Sequence, residues 1–165
     1  MTNLGTLWRV WRSVCRCMSQ YGKTIPAGRE IAARYALIDP VLRALGWDLS
    51  DPIHVRLEWT QAERLRPDYT FLKDNEPVLY VEAKRWGTIS RIKKLSNPLA
   101  SSELRRLKRY CRYNSVNMGV LTDGGAWYII DFSDLEQPEV TLIDAAEAKT
   151  RKDVRKLLDI SYGAL

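Results

Sequence analysis

The sequence predicts a single α/β domain in which a mixed central sheet is flanked by helices. The chain has 165 residues, 45% of them hydrophobic, which is the size and composition of one domain with a buried core. Apolar residues recur at helical spacing near the N-terminus, and three consecutive strand candidates follow further on, the first with alternating apolar and polar residues. Another helical pattern and a hairpin signal follow, and such alternation is typical of α/β proteins.

Two amphipathic helices are predicted before the first strand. The first, from Leu4 to Tyr21, places arginines opposite an apolar face, and we interpret it as an addition to the core. That face comprises Leu7, Trp8, Trp11 and Val14. After Pro26-Ala27-Gly28, a second helix is expected from Arg29 to about Leu45. Its apolar residues are Ile31, Tyr35, Ile38, Leu42 and Leu45. Pro40 lies inside this pattern, so we expect a kink or break near Asp39.

Three consecutive strands are predicted next, and we expect them to pair in antiparallel fashion. Residues Ile53 to Trp59 alternate between apolar and polar side chains. The apolar set, expected to be buried, is Ile53, Val55, Leu57 and Trp59. Pro67 to Leu72 and Val78 to Lys84 are the next two strand candidates, joined by the polar turn Lys73–Pro77.

A helix, a hairpin and a closing helix complete the predicted order. The helix spans Pro98 to Tyr113, and Asp123-Gly124-Gly125 is a strong signal for a hairpin turn. The strands beside and after this turn, and the last helix, are expected at Met118–Leu121, Trp127–Phe132, Val140–Ile143 and Lys149–Ile160. The expected organisation is one domain over residues 1–165, with an N-terminal helical extension over 1–24, a core over 25–145 and a C-terminal helix over 146–165.

Composition narrows the functional classes. No segment approaches the roughly 20 apolar residues of a membrane-spanning helix, so no membrane partner is expected. Three cysteines without regular spacing indicate free thiols and a reducing, cytoplasmic location. His54 is the only histidine, which argues against most catalytic mechanisms that depend on histidine, such as Ser-His-Asp and Cys-His arrangements. No phosphate-binding loop is present, so no ATP-driven motor is expected in this chain.

Positive charge is concentrated in one region of the chain. The net charge is +6, and between Lys84 and Arg112 the many lysines and arginines are opposed only by Glu103. A stretch of one sign inside a folded domain is a candidate phosphate-binding surface, and the alternative is a solvated helix face.

Two carboxylates and a lysine form the candidate site. Glu82 and Lys84 lie two residues apart on a predicted strand, so their side chains share a face. Asp68 begins the preceding strand, and the two carboxylates can converge from neighbouring strands. Convergent carboxylates repel each other unless they share a cation, and Mg²⁺ prefers such oxygen ligands. The alternative for an isolated Glu-x-Lys is a surface ion pair.

Five segments carry a family resemblance: Glu30–Arg34, Leu37–Trp47, Arg66–Tyr69, Val81–Lys84 and Gly119–Gly124. In this order they resemble the PD-(D/E)xK nuclease superfamily. More narrowly, they resemble the nuclease domain at the N-terminus of type I restriction enzyme R subunits and its stand-alone relatives. The resemblance extends from about Glu30 to Phe132, which is most of the chain.

The resemblance implies a restriction-endonuclease-like core and a divalent-metal-dependent DNA nuclease. It implies that Asp68 and Glu82 bind Mg²⁺, for which Mn²⁺ would substitute, together with the main-chain carbonyl of Ala83. Lys84 would be the catalytic lysine. The family also has a helix glutamate near the metal, and Glu30 matches that position as a further catalytic residue and candidate ligand. The alternative for Glu30 is an (i, i+4) ion pair with Arg34.

The helix after the catalytic strand is the candidate nucleic-acid surface. The surface comprises residues of this helix and two lysines that precede it: Lys93, Lys94, Arg105, Arg106, Lys108, Arg109 and Tyr110. The family often has a glutamine four residues before this tyrosine, and here Arg106 stands in its place, which favours a phosphate contact. Trp86 is a candidate for stacking on a base, with ordinary packing as its alternative.

These features predict a metal-dependent deoxyribonuclease that acts alone, as a homodimer or with a partner subunit. Two other classes stay open. One is a nuclease-like module that binds nucleic acid without cutting it, and the other is a protein-interaction subunit whose basic face docks an acidic partner.

Overall fold

The structure, a computed structural model, is built around one six-stranded mixed sheet. It describes residues 3–21, 29–60 and 65–165, so the expected separator Pro26–Gly28 and the boundary between residues 24 and 25 lie outside the described residues. The strands are β1 (Val55–Leu57), β2 (Tyr69–Lys73), β3 (Glu76–Ala83), β4 (Met118–Thr122), β5 (Ala126–Asp131) and β6 (Glu139–Asp144). They lie side by side in chain order.

The pairing of the strands confirms the predicted mixed sheet. β1, β2 and β3 form an antiparallel meander, as expected. β4 then pairs in parallel with β3, because the chain returns through helical segments that cross one face of the sheet. β5 and β6 continue in antiparallel pairing, and β4 and β5 form the predicted hairpin around Asp123-Gly124-Gly125.

Helices cover both faces of the sheet. The α-helices are α1 (Leu4–Tyr21), α2 (Glu30–Ala33), α3 (Asp39–Ala44), α4 (Thr88–Ile92), α5 (Ser102–Tyr113) and α6 (Arg151–Val154). Short π and 3₁₀ segments extend them at Arg34–Ile38, Pro98–Ala100 and Arg155–Ile160. One apolar cluster joins α1, α3 and the C-terminal helices to one sheet face, and a second joins α4 and α5 to the other.

The first helix, interpreted from the sequence as an addition to the core, packs its apolar face into the core. Leu7, Trp11 and Val14 are all buried in the first apolar cluster. The Trp11 indole also donates a hydrogen bond to the carbonyl of Ala148, 3.4 Å away. The arginines of the opposite face are exposed, as the periodicity indicates.

The second helical segment continues through Pro40 by means of a π-helical turn. Arg34–Ile38 is π-helical and leads directly into α3, which contains the proline in its first turn. A wider turn before a proline relieves the clash with the preceding helical turn. It also shifts the helical phase, so residues before it rotate away from the buried face. Ile31, before this turn, and Tyr35, within it, are 72% and 79% exposed, contrary to the predicted apolar face.

The first strand is shorter and more exposed than predicted. Only Val55 of the alternating apolar set is buried, whereas Ile53 and Leu57 are 62% and 51% exposed. β1 is an edge strand with a single neighbour, and at Glu58 the chain turns with φ of 46°, which ends the extended backbone. The alternation therefore indicates the strand but not the burial of its side chains.

The remaining helices agree with the prediction in outline. The segment predicted at Pro98–Tyr113 is a 3₁₀ turn followed by α5, with Ser101 accepting a hydrogen bond from Leu104 N at the start of α5. α4 was not predicted. Throughout the described part of the chain, no helix has the length and apolar character needed to span a membrane.

Candidate active site

The register of the sheet brings Asp68 and Glu82 face to face. Tyr69 is paired with Val81 in the antiparallel β2–β3 ladder, so Asp68, one residue earlier, lies opposite Glu82, one residue later. Directly opposed residues of an antiparallel pair project to the same face, with their Cβ atoms about 5 Å apart. Both carboxylates are therefore at the end of the sheet where β3 ends, which we call the Ala83 end.

Asp68 closes the β2–β3 ladder with its side chain. Its Oδ2 accepts a hydrogen bond of 2.7 Å from Ala83 N, and its backbone carbonyl accepts one of 3.0 Å from Glu58 N. Its Oδ1 lies 3.9 Å from the guanidinium of Arg34. The hydrogen bond from Ala83 N and the nearby guanidinium hold the carboxylate in place. The Asp68 side chain is 16% exposed, so part of it still faces solvent.

Glu82 is the buried carboxylate of the site. Its side chain is 2% exposed, and Oε1 lies 2.6 Å from Lys84 Nζ and 3.6 Å from a guanidinium nitrogen of Arg106. The other oxygen, Oε2, is buried and has no hydrogen-bond partner among the described residues. Burial raises the pKa of Glu82, Asp68 raises it further, and Lys84 and Arg106 oppose both effects.

Glu30 faces the same group of charges from α2. Burial and the charge of Asp68 raise the pKa of Glu30, and the cations Lys84, Arg34 and Arg106 oppose this shift. Within the described ranges, the ion pairs of Arg34 are with Glu58, 3.3 Å away, and with Asp68. The (i, i+4) pair considered for Glu30 is thus replaced by contacts from Arg34 to the sheet.

Arg34 and Tyr69 are site residues that the sequence analysis did not identify. Arg34 Nε donates a hydrogen bond of 3.1 Å to the Tyr69 hydroxyl, which donates one of 2.6 Å to Asp39 Oδ1. This chain of contacts holds the guanidinium beside Asp68. Its only sequence signal is the adjacency of Tyr69 to Asp68, because helical spacing links Arg34 to Glu30 rather than to residues on later strands.

α5 contributes Arg106 and Tyr110 to the site. Arg106 Nε donates a hydrogen bond to the Tyr110 hydroxyl, which donates in turn to the carbonyl of Arg66, 3.3 Å away. Tyr110 is buried, whereas the Arg106 side chain is 52% exposed. Arg106 therefore reaches from the buried Glu82 to the solvent-facing surface of the helix.

The other predicted nucleic-acid contacts divide into two groups. Lys94, Arg105 and Arg109 are exposed. Lys93 instead forms ion pairs with Asp144 and with Glu147, the latter at 3.1 Å, and Lys108 donates a hydrogen bond to the carbonyl of Leu135. Contacts within the protein therefore occupy Lys93 and Lys108.

Asp68 and Glu82 are the residues that could hold a metal ion. In the three described ranges, no group of three His, Cys, Asp or Glu side chains is arranged to hold a metal ion. A buried carboxylate oxygen without a partner, opposite a second carboxylate, is nevertheless a donor set that suits a hard cation. The cysteines are free, and His54 pairs with Asp51.

Comparisons of the chain with protein-family models, with curated proteins and with solved structures found no match.

Proposed function

We propose that this chain is a divalent-metal-dependent nuclease with a restriction-endonuclease-like core that hydrolyses phosphodiester bonds in DNA. The observation that carries the proposal is the position of Asp68 opposite Glu82, one residue beyond the Tyr69–Val81 pair, with the Lys84 ammonium 2.6 Å from Glu82. Two carboxylates suited to a metal and a lysine suited to the attacking water meet at one end of a sheet, next to a helix with exposed basic residues.

The donor atoms fit Mg²⁺ or Mn²⁺. Asp68 and Glu82 would hold the ion together with the main-chain carbonyl of Ala83, and Glu30 is close enough to interact electrostatically with Asp68. Mg²⁺ commonly binds one or two carboxylates and keeps several waters, so it needs no third acidic side chain. The partnerless Oε2 of Glu82, seen among the described residues, supports this fit, because a buried acceptor without a partner costs free energy.

When bound, the metal would neutralise the scissile phosphate and lower the pKa of an attacking water. Lys84 would orient that water and offset negative charge that develops on the phosphate. Glu82 keeps the ammonium of Lys84 in position through the 2.6 Å contact. Arg106, which spans Glu82 and the surface, would hold a phosphate oxygen.

The exposed cations Lys94, Arg105 and Arg109 would contact the DNA backbone next to this site. Such contacts set the position of the nucleic acid but carry no base identity, so they supply affinity and not sequence preference. The two occupied lysines, Lys93 and Lys108, are better assigned to stabilising the fold.

The proposal is tested with plasmid, linear duplex, single-stranded DNA and RNA in Mg²⁺ or Mn²⁺. Cleavage that a chelator stops and that Lys84→Ala abolishes is expected. Lys73→Ala is the matched control, because Lys73 ends β2 at the opposite end of the sheet. Absence of cleavage of every substrate, or equal loss in both variants, would overturn the proposal.

One observation favours a second function, a nuclease-like module that binds without cutting. Oε1 of Glu82 already lies between the cations of Lys84 and Arg106, so much of the carboxylate charge is balanced by the protein itself. Salt-dependent DNA binding that persists in Lys84→Ala, with no cleavage by the wild type, would support this function.

A further inference from the structure

A cavity of about 360 Å³ lies at the Ala83 end of the sheet, beside the carboxylates but distinct from them. Ligand pockets in proteins have volumes of about 300–1,000 Å³. Its wall combines an indole, a thioether, a thiol and small apolar groups with two hydroxyls, an ammonium and two carboxylates. The carboxylate of Asp123 accepts backbone hydrogen bonds, and that of Asp144 is paired with Lys93. The lining residues that matter here are Met18, Trp86, Ser90, Gly125, Ala146 and Lys149.

The cavity and the candidate active site share one end of the sheet. Ala83 is paired with Thr122 in the parallel β3–β4 ladder, and Lys84 N donates a hydrogen bond of 2.8 Å to the carbonyl of Thr122. The carboxylates occupy the β2–β3 half of this end. The cavity occupies the half formed by the β4–β5 turn and the end of β6, and Trp86, two residues after Lys84, lines it.

The loop that carries Trp86 is held firmly by Asp123. The carboxylate of Asp123 is 2% exposed and accepts hydrogen bonds from Ile89 N at 2.9 Å, from Ala126 N at 3.0 Å and from Gly125 N at 3.1 Å. It therefore ties the segment after Trp86 to the β4–β5 turn. Gly87, with φ of 87°, provides the left-handed turn between Trp86 and α4.

Gly125 leaves room for the indole. A Cβ added at Gly125 would lie 3.1 Å from Trp86 Nε1 and 3.4 Å from Met18 Sδ. The indole thus rests close to the bare main chain of the turn, and its position depends on a residue without a side chain. A rigid aromatic wall in a concave site is the usual platform for a flat ring.

We propose that this cavity binds a nucleobase of the substrate strand, next to the bond that is cut. The proposal rests on the proposed nuclease function. The base stacks on Trp86, the Ser90 hydroxyl faces its polar edge, and the exposed Lys149 lies near the adjoining phosphate. The Lys149 ammonium donates one hydrogen bond of 3.1 Å to the carbonyl of Ala145 and, being exposed, keeps donors for a phosphate oxygen, whereas the partly buried Lys108 does not face solvent to the same extent. Stacking tolerates any base, so the cavity holds a single-stranded or extruded nucleotide without reading its identity.

The test measures binding separately from cleavage. A labelled single-stranded oligonucleotide is titrated in the presence of a chelator, with fluorescence anisotropy as the readout. Trp86→Ala is expected to weaken binding about 5- to 150-fold, the range for loss of one stacked base, and Trp86→Phe is expected to stay within about 3-fold of wild type. Tyr162→Ala is the control aromatic, because Tyr162 lies against Trp47 and His54, away from the cavity.

A second variant fills the cavity without removing Trp86. Ala146 is exposed on the rim, so Ala146→Phe should fold normally, as a thermal melt would show, and weaken binding to a similar degree. In cleavage assays, replacing one nucleotide beside the cut by an abasic one should lower the cleavage rate of wild type. The rate of Trp86→Ala should not fall further, because that variant has already lost the stacking contact.

The outcomes separate the two proposals. If wild type cuts DNA while Trp86→Ala and Ala146→Phe bind like Tyr162→Ala, the cavity proposal is wrong and the nuclease proposal stands. If wild type neither binds nor cuts any nucleic acid, the nuclease proposal fails and the cavity proposal fails with it.

Discussion

Replacing Glu82 by glutamine should remove the ability of Mg²⁺ or Mn²⁺ to stabilise the fold. Glu82 and Asp68 are directly opposed across β2 and β3, and Glu82 is buried with one oxygen unpartnered among the described residues. A bound divalent ion would neutralise both charges, whereas the Glu82→Gln variant would keep only one of the two carboxylates as a ligand. Glutamine has nearly the same shape as glutamate, so the packing around position 82 should change little.

The geometry provides the reason for metal binding, and the metal concentration sets the size of the effect. Opposed strand positions place Cβ atoms about 5 Å apart, and two unit charges at about that separation repel by about 3 kcal/mol at an effective dielectric constant near 20. Lys84 and Arg106 offset part of this repulsion. At a metal concentration of about 100 times Kd, binding stabilises the fold by about 2.7 kcal/mol. For a domain of this size that corresponds to a rise in Tm of about 5–11 °C.

Thermal unfolding followed by circular dichroism measures this difference with and without the metal, at matched ionic strength. Wild type is expected to show the rise in Tm and Glu82→Gln to show none. Glu76→Gln is the control, because Glu76 is an exposed glutamate at the opposite end of the same strand. An equal rise in Tm for wild type and Glu82→Gln would refute the assignment of Glu82 as a ligand, and so would no rise in wild type at saturating metal.

Three further predictions concern pH, the basic surface and the core. Because burial and Asp68 raise the pKa of Glu82, the folded protein binds a proton there more readily than the unfolded chain does. Metal-free wild type should therefore gain stability relative to Glu82→Gln as the pH falls towards 4.5. Urea titrations across that range would contradict the pKa shift if the difference in stability between the two proteins stayed constant. Arg109→Ala should weaken DNA binding and reduce the slope of its salt dependence by about one, because Arg109 is exposed. Lys93→Ala should leave that slope unchanged and lower thermal stability, because Lys93 is engaged in ion pairs. Identical salt slopes for the two variants would contradict the division of the basic residues into DNA-contacting and structural groups. Trp11→Ala should lower the free energy of unfolding by about 3–5 kcal/mol, because Trp11 is 1% exposed in the core, and a loss below about 1 kcal/mol in urea denaturation would place α1 outside the core after all.

The order and type of the elements were predictable because they depend on local patterns. Twofold alternation identified the first strand, apolar runs bounded by turns identified the others, and the glycine-rich turn Asp123-Gly124-Gly125 identified the β4–β5 hairpin. Local pattern does not report what covers a face. The exposed Ile31 precedes the π turn and the exposed Tyr35 lies within it, whereas the exposed Ile53 lies in the turn before β1.

The sequence by itself determined which residue types are available for chemistry, and at what spacing. Glu82 and Lys84 could be chosen from it because a strand carries residues two apart to the same face, and Asp68 because it begins the preceding predicted strand. The tertiary structure decided the register that sets Asp68 opposite Glu82, the contact from Arg34 to Asp68 and the pairing of Lys93 with Asp144. These contacts join residues 14 to 51 positions apart in the chain. Such pairs are selected by the packing of whole elements against one another, which no local pattern encodes.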